Sequence, residues 1–308
     1  MSGARQKLAE INPKFVRRYS RIDDSAEFYE YMAKPLRQSI RINTLKADPE
    51  EVLERLGERF SLTPVPWCRE GFWVAGGRVS TTMEHALGLI FVQEAASMIP
   101  PVVLEPEPGM LVLDMAASPG AKSTQIAQYM HNLGCLIAND VRIERARILA
   151  SNLQRCGVLI ARVTLRDGRS FSKFAETFDR VLLDAPCSNA GMVRKNYKYL
   201  KIWGRRRAKK YSKLQKELIL AGYRALKPGG VLVYSTCTLD PLENEEVVDC
   251  LLRSTDAELE EVKLPLKRHP AFLEFEERSY TSEVHRCLRL HPQDNDTEGF
   301  FVAKVVKP

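Results

Sequence analysis

Two cysteines stand where a nucleophile would be useful. Cys187 closes the apolar run "FDRVLLDAPC" and Cys237 closes "GGVLVYSTC". Each run reads as a strand buried on both faces, so both thiols are expected to open onto one crevice beyond the carboxyl ends of a parallel sheet. A thiolate in such a place attacks electrophilic carbon. Asp114, Asp140, Asp167 and Asp184 each end or follow a run of the same kind. One Asp there is a turn former or a helix cap; four at successive strand ends call for a ligand.

The stretch "LVLDMAASPGAKSTQIAQ" is a strand, a small-residue turn and a helix start, the way a doubly wound sheet receives an adenosine-bearing cofactor. It is not a Walker loop, because position 116 is Ala and Ala121 separates Gly120 from Lys122. It is not a dinucleotide loop either, since "MAASPGAK" has one glycine where G-x-G-x-x-G needs three. Asp140, 20 residues beyond Gly120, stands at the interval of a ribose-binding acid. S-adenosylmethionine carries no phosphate and presents a ribose, a sulfonium and an amino-acid end, which suits a set of acids. Beside a methyl donor, two thiols gain a specific use. C5 of cytosine is a poor nucleophile until a sulfur adds to C6; after methylation the C5 proton leaves and the sulfur is expelled. One thiol attacks and the other assists release, with Lys122 and Asp184 polarising the base.

The elements that must position these groups alternate from residue 111 onward. "LVLDMAA", "CLIAND", "ARVTLRD", "FDRVLLDAP" and "GGVLVYSTC" are strand-like, separated by amphipathic stretches such as "RIERARILASNLQRCG". "EVHRCLRLHP" and "EGFFVAKVVK" add two strands around a polar turn, giving an α/β, Rossmann-like sheet of seven strands with a closing hairpin. Upstream, "QSIRINTLKADPEEVLERLGERF" reads as strand, turn and helix with an Asp48-Pro49-Glu50 start signal, followed by the strand "EGFWVAGG". "GLIFVQEAASMIPP" reads as a helix ended by Pro100-Pro101. The expected division is a small α/β RNA-binding module over residues 1–88 and a methyltransferase domain over 89–308.

A chain of 308 residues, 44% hydrophobic and 28% charged, is an ordinary soluble protein with a sizeable core. No window is apolar enough for a membrane span or a signal peptide, so a cytoplasmic protein with no membrane partner is expected. Seven scattered cysteines without a C-x-x-C pair or a nearby Cys/His group predict neither a disulfide framework nor a metal site. Of the net charge of +7, residues 193–217 alone contribute eleven Lys or Arg against one acid, with Tyr197, Tyr199, Trp203 and Tyr211 between them. That segment reads as a phosphate-binding stripe with stacking platforms; Arg194, Lys195, Arg205, Arg206 and Arg207 are the expected RNA contacts.

The motifs "LVLDMAASPGAKSTQIAQ", "NDVRIERARILASNLQRCG", "LRDGRSF", "VLLDAPCSNAGMVRKN" and "ALKPGGVLVYSTCTLDPLENEEVV" resemble, in order, those of the Nop2/Sun family of RNA 5-methylcytosine methyltransferases. The upstream "IRINTLK" and "QEAAS" and the downstream "EGFFVAKVVK" extend the resemblance over roughly residues 35–307. It implies Cys237 as the nucleophile on C6 and Cys187 as the residue that helps the product leave. It also implies that Ala117, Ser118, Pro119, Gly120, Ala121 and Lys122 cradle the methionine end of S-adenosylmethionine. Asp140 would hold its ribose, Arg145 and Asp167 would lie near the adenosine, and Asp184 would bridge donor and base. The implied substrate is RNA, tRNA before rRNA.

Three departures stand out. "AASPGAKS" replaces the family's "CAAPGGKT"; "PCSNAG" replaces "PCSGxG", with Asn189 in place of glycine; and Tyr197 stands where a proline is common. Asn is the next most tolerant residue if position 189 needs a positive φ. Two other readings stay open: a DNA cytosine methyltransferase, which would attack with the Pro-Cys thiol, and an RNA-binding scaffold that kept the fold without the activity.

Overall fold

A computed structural model describes residues 3–308. The chain opens on α1 (Gly3–Ile11), α2 (Pro13–Tyr19) and α3 (Ala26–Ala33). Asn12 and Ser25 start the second and third by accepting from the amides of Phe15 and Phe28, so short polar side chains satisfy amides the helix itself leaves orphaned. Next come β1 (Gln38–Ile42), α4 (Pro49–Gly57), β2 (Ser61–Pro64), β3 (Gly71–Ala75), α5 (Met83–Ala86) and β4 (Ile90–Val92). Asp48 caps α4 and Pro49 is its first residue, as the start signal predicts. The four strands form an antiparallel sheet in the order β2-β3-β1-β4. Its Ile40, Ile42, Val74 and Ile90 share a core with Val52 and Leu56 of α4.

The stretch ending in two prolines departs from the sequence reading. "IFV" is strand β4, and Pro100 and Pro101 lie in the first turn of α6 (Ile99–Leu104) rather than at the end of a helix. A first-turn amide has no intrahelical acceptor, so proline loses nothing there and its fixed φ favours the helix.

Then follow β5 (Leu111–Asp114), α7 (Ala121–Tyr129), β6 (Cys135–Asn139), α8 (Ile143–Arg155), β7 (Ala161–Thr164) and β8 (Phe178–Asp184). After them come α9 (Lys198–Ile202), α10 (Arg205–Ala225), β9 (Leu226–Thr236), α11 (Glu245–Ser254) and β10 (Glu258–Glu260). The two-residue strands β11 (Glu274–Phe275) and β12 (Arg278–Ser279), then β13 (Leu288–Leu290), α12 (Pro292–Asn295) and β14 (Phe300–Val306) complete the chain. The large sheet runs β10-β14-β9-β8-β5-β6-β7, with β13 paired to β14. β5 is parallel to β6 and β8, and β6 to β7; β13 and β14 form the expected antiparallel hairpin. This is the Rossmann-like α/β sheet read from the sequence, with β10 in addition. That strand is invisible in the pattern because it is three residues long and only Leu259 is buried.

Contacts divide the chain into two compact units, each built from separate stretches. The first holds residues up to Leu36, Ala185–Ile219 and Tyr234–Val305; the second holds Arg37–Asp184, Leu220–Val233 and Val306–Pro308. α1 to α3 thus belong to the first unit, and the small antiparallel sheet, whose strand β4 lies beyond residue 88, belongs to the second. No helix among the described residues is long and apolar enough to cross a membrane.

Candidate active site

In the second unit, β5 delivers Asp114 and the chain turns through 115–120 into α7. Gly120 sits at φ 105°, and a Cβ there would lie 3.1 Å from Leu149, so the turn takes glycine. The amide of Ala117 donates to the Asn139 carbonyl at 2.7 Å. Ser118 Oγ donates to the Arg145 carbonyl at 2.9 Å, and Arg145 Nη2 returns a bond to the Ser118 carbonyl at 2.6 Å. The loop is thereby fastened to the ends of β6 and α8. Arg145 Nε then donates to Asp140 Oδ2 at 2.8 Å while the Arg142 amide holds Oδ1 at 3.0 Å, leaving the Asp140 carboxylate buried and fixed in orientation. Lys122 Nζ pairs with Asp184 Oδ2 at 2.8 Å and donates to Ser97 Oγ at 2.9 Å.

Asp167 is bonded within its own turn. It caps the 3-10 segment Gly168–Lys173 and grips the Arg169 guanidinium, whose hydrogen bond holds the carboxyl below its ordinary value. Pro119 and Ala121 enter through their backbone: both carbonyls accept side-chain bonds, from Asn152 at 2.8 Å and Thr124 at 3.0 Å.

Asp114 is the group whose environment stands out here. Burial pushes its carboxyl up to about 7, against the hydrogen bond that Ser123 Oγ donates to Oδ2 at 2.6 Å. α7 begins without a side-chain cap. The Asp140 carboxylate, oriented by Arg145 and the Arg142 amide, suits a pair of ribose hydroxyls, and an uncapped helix N-terminus suits a ligand carboxylate. The residues present therefore fit S-adenosylmethionine.

In the first unit, the Sγ atoms of Cys187 and Cys237 lie 3.3 Å apart, in hydrogen-bond contact and not joined by a disulfide. Asn189 Oδ1 accepts from both, at 3.5 Å and 3.1 Å. Asn189 adopts φ 60°, ψ 29°, so the position does require the left-handed region in which Asn substitutes for glycine at modest strain. Two residues on, Gly191 brings backbone against backbone. Its amide donates to the Cys237 carbonyl at 2.9 Å, and a Cβ would lie 2.1 Å from the Gly299 carbonyl oxygen. Only glycine permits that approach, and it is what draws the Cys187 loop onto Cys237.

Behind the thiols lies a buried polar network that sequence reading did not single out. Glu243 Oε2 accepts from the Ser188 amide at 2.8 Å and from Gln215 Nε2 at 3.2 Å. Gln215 also reaches the Pro186 carbonyl at 2.9 Å. Thr238 Oγ1 lies 3.2 Å from Ser188 Oγ and 3.3 Å from the Tyr19 hydroxyl. Arg18 grips Asp240 through two bonds of 2.6 and 3.1 Å. The acids of "TLDPLENEE" were the available signal, but nothing local says which of them turns inward.

Burial raises the Glu243 carboxyl to about 8 from 4.5. Below pH 4.5 native and unfolded chains both carry its proton; between there and about 8 only the native chain does, so stability falls as pH rises and levels off above. Asp114 acts in the same sense up to about 7. We expect Glu243→Gln, which keeps the acceptor and removes the charge, to flatten the fall between pH 6 and 8 by on the order of a few kcal/mol in denaturant titrations. A variant that tracks the parent across this range would show that Glu243 is not the titrating group.

The basic segment divides. Arg194 is buried, ion-paired with Asp296 at 2.6 Å and bonded to the carbonyls of Lys34, Pro35 and Thr297; it holds the fold together and is not open to phosphate. Trp203 is likewise buried, edge-on to Phe15 and Tyr19, so it is no platform for a base. Within α10 the amphipathic period divides the rest: Ala208, Ser212, Gln215 and Ile219 form its inward stripe. Lys195, Arg206, Lys209, Lys210 and Lys213 are exposed. Arg205 is exposed and paired with Glu276 at 2.8 Å, and Arg207 lies over the Tyr211 ring.

The fold and the single-glycine loop at its carboxyl edge define a methyltransferase of the doubly wound class. Comparison with known proteins gives the narrower assignment. Residues 101–306 match the 16S rRNA methyltransferase RsmB/F family, and residues 11–95 match the N-terminal domain of 16S rRNA methyltransferase RsmF. The chain belongs to the RsmB/F methyltransferase family. It is 58% identical over 307 residues to a tRNA (cytosine(49)-C(5))-methyltransferase of Pyrococcus abyssi, covering 99% of both chains. To the ribosomal RNA small subunit methyltransferase F of Shewanella loihica it is 42% identical, covering 91% of this chain and 58% of the relative. Among solved structures, a methyltransferase homologue from Pyrococcus horikoshii superposes with a TM-score of 0.87 at 36% identity, over the full length of both. NSun6 of the same organism, crystallised with SFG, shares the fold at a TM-score of 0.81 and 23% identity, with 100% and 98% of the two chains covered.

Proposed function

We propose that this protein is a cytosine-C5 methyltransferase acting on RNA, with S-adenosylmethionine as methyl donor and tRNA as substrate. The observation that carries the reading is the thiol pair: two Sγ atoms 3.3 Å apart, with one amide oxygen between them. Cys237 attacks C6 of the cytosine, and the electron pair of the C5–C6 bond moves toward C5 as the C6–sulfur bond forms. Bound S-adenosylmethionine supplies an electrophilic methyl group. Cys187 assists the departure of the product: its thiolate takes the C5 proton, the C5–H pair re-forms the C5–C6 double bond, and the C6–sulfur bond breaks with its pair returning to Cys237. Lys122 and Asp184 polarise the base, while Asp140, oriented by Arg145, takes the donor's ribose hydroxyls.

The choice of tRNA follows from coverage, since the likeness to the tRNA enzyme runs the whole length of both chains while the chain spans 58% of the rRNA enzyme. An RNA substrate and seven thiols with no disulfide fit the cytoplasm. The test is transfer of labelled methyl from S-adenosylmethionine to unmodified tRNA and rRNA transcripts, with the product nucleoside identified. Label as 5-methylcytidine in tRNA is expected; label in rRNA alone would change the substrate, and none in either would leave the scaffold reading.

Exposed cations of α10 hold the RNA backbone in this account. Arg206, Lys209 and Lys210 changed together to Gln should lower the slope of log affinity against log salt by roughly 2 to 3 for three lost phosphate contacts, with donor affinity unchanged. An unaltered slope would return the stripe to solvent. Arg194→Gln is expected instead to lower the melting temperature, because it removes the ion pair with Asp296 and the bonds to three carbonyls.

A further inference from the structure

Two adjacent residues at the entrance to α11, Glu243 and Asn244, hold the chain around both thiols. Glu243 Oε2 accepts from the Ser188 amide at 2.8 Å and from Gln215 Nε2 at 3.2 Å, and Gln215 also donates to the Pro186 carbonyl at 2.9 Å. Pro186 and Ser188 flank Cys187. Asn244 Oδ1 accepts from Thr236 Oγ1 at 2.5 Å, and Asn244 Nδ2 donates to the Thr238 carbonyl at 2.9 Å. Thr236 and Thr238 flank Cys237. Each of the two side chains thus brackets one thiol, Glu243 with the help of Gln215. The hydroxyls of Ser188 and Thr238, the residues that follow the two cysteines, meet at 3.2 Å.

Neither side chain is placed for the stability of α11. Asn244 occupies its N-cap, where an asparagine ordinarily stabilises a helix by accepting from a first-turn amide. Here no side-chain cap bond forms, and both ends of the amide turn to the Cys237 loop instead. Glu243 buries a carboxyl completely, although such a group favours water. The backbone beneath them is fastened as well. The Tyr234 hydroxyl donates to the Glu243 carbonyl at 2.5 Å, the Glu243 amide to the Asp240 carbonyl at 2.9 Å, and the Asn244 amide to the Pro241 carbonyl at 3.3 Å. Gln215, Ser188, Thr236 and Thr238 are buried with them, so water does not compete for these bonds.

We propose, on the basis of the methyl transfer through a Cys237 adduct set out above, that Glu243 and Asn244 are positioning residues, Glu243 for Cys187 and Asn244 for Cys237. Their adjacency in the chain then fixes the separation of the two thiols. Cys237 must reach C6 and Cys187 the proton on C5, one bond away. A sulfur displaced by about 1 Å loses rate on the order of 10²-fold. Because each side chain holds one thiol loop, loss of either disturbs one step of the reaction.

The test uses the full chain, labelled S-adenosylmethionine and whichever transcript, tRNA or rRNA, the parent methylates. First-turnover transfer, steady-state turnover and adduct on denaturing gels are read for each variant. Asn244→Ala should slow the first turnover by roughly 10- to 100-fold and leave no adduct, with the donor affinity of the parent. Glu243→Ala should keep the first turnover, lower steady-state turnover by roughly 10- to 100-fold and accumulate adduct. Glu243→Gln, which keeps an acceptor for the Ser188 amide, should restore release. Thr236→Val and Gln215→Met each remove part of one bracket, should divide in the same way more weakly, and carry the comparison where an alanine variant does not melt cooperatively. A merely structural role would move both phases together. An equal loss of both phases in the Glu243 and Asn244 variants, parent-like kinetics in both, or adduct in Asn244→Ala without any in Glu243→Ala overturns the proposal. A parent chain that methylates no RNA overturns the function beneath it instead.

Discussion

Cys237→Ser is expected to stop methyl transfer to RNA by more than about 10³-fold while the protein still binds S-adenosylmethionine as before. A serine hydroxyl in place of the thiol is a far weaker nucleophile at neutral pH, since its anion is scarcely populated, whereas a thiol maintains a reactive fraction. The donor loop is untouched: Asp140, Arg145 and the Ser118 backbone form their own bonded set. Single-turnover transfer from labelled donor and calorimetric titration of the donor separate the two effects. Retained transfer in Cys237→Ser, together with loss of covalent adduct in Cys187→Ser, would reverse the roles of the thiols and favour the DNA-type order of attack.

Cys187→Ser should behave in the opposite way, making product it cannot release. With Cys237 intact the C6 bond still forms and the methyl still arrives, so the first turnover proceeds; without the second thiol 3.3 Å away, resolution of the adduct stalls. A slow-migrating species containing both protein and RNA should then persist on denaturing gels, and steady-state turnover should fall about 10²–10⁴-fold, the range of a lost acid–base contribution. Its absence, with full turnover, would remove Cys187 from the release step. Because Asn189 accepts from both thiols, either replacement leaves it bonded to the other, and each variant reads one sulfur at a time.

Much of this protein is legible from residue order. The apolar runs that become β5, β6, β8 and β9 carry both their strand identity and their ligand-facing ends, because period, run length and the first polar residue after the run are properties of a few neighbouring positions. That is why Asp114, Asp140, Asp184, Cys187 and Cys237 were found at strand ends, and why Asp48 and Pro49 correctly announced α4. The glycine that the family pattern has at position 189 leaves a positive φ open there, and the structure has one.

What tertiary structure alone decided are pairings across long sequence separations and the burial of residues whose type suggests exposure. Arg194 and Trp203 belong to a segment whose composition suits solvent, yet both are buried against partners from elsewhere in the chain. Pro100 and Pro101 lie in the first turn of a helix, where a missing amide costs no intrahelical bond, rather than at a helix end. Glu243 and Gly191 have no local signature, since their partners lie tens of residues away or more. A local pattern records which face of an element is apolar; it does not record which other element will cover that face, and buried charge, backbone contact and ligand geometry all depend on the covering element.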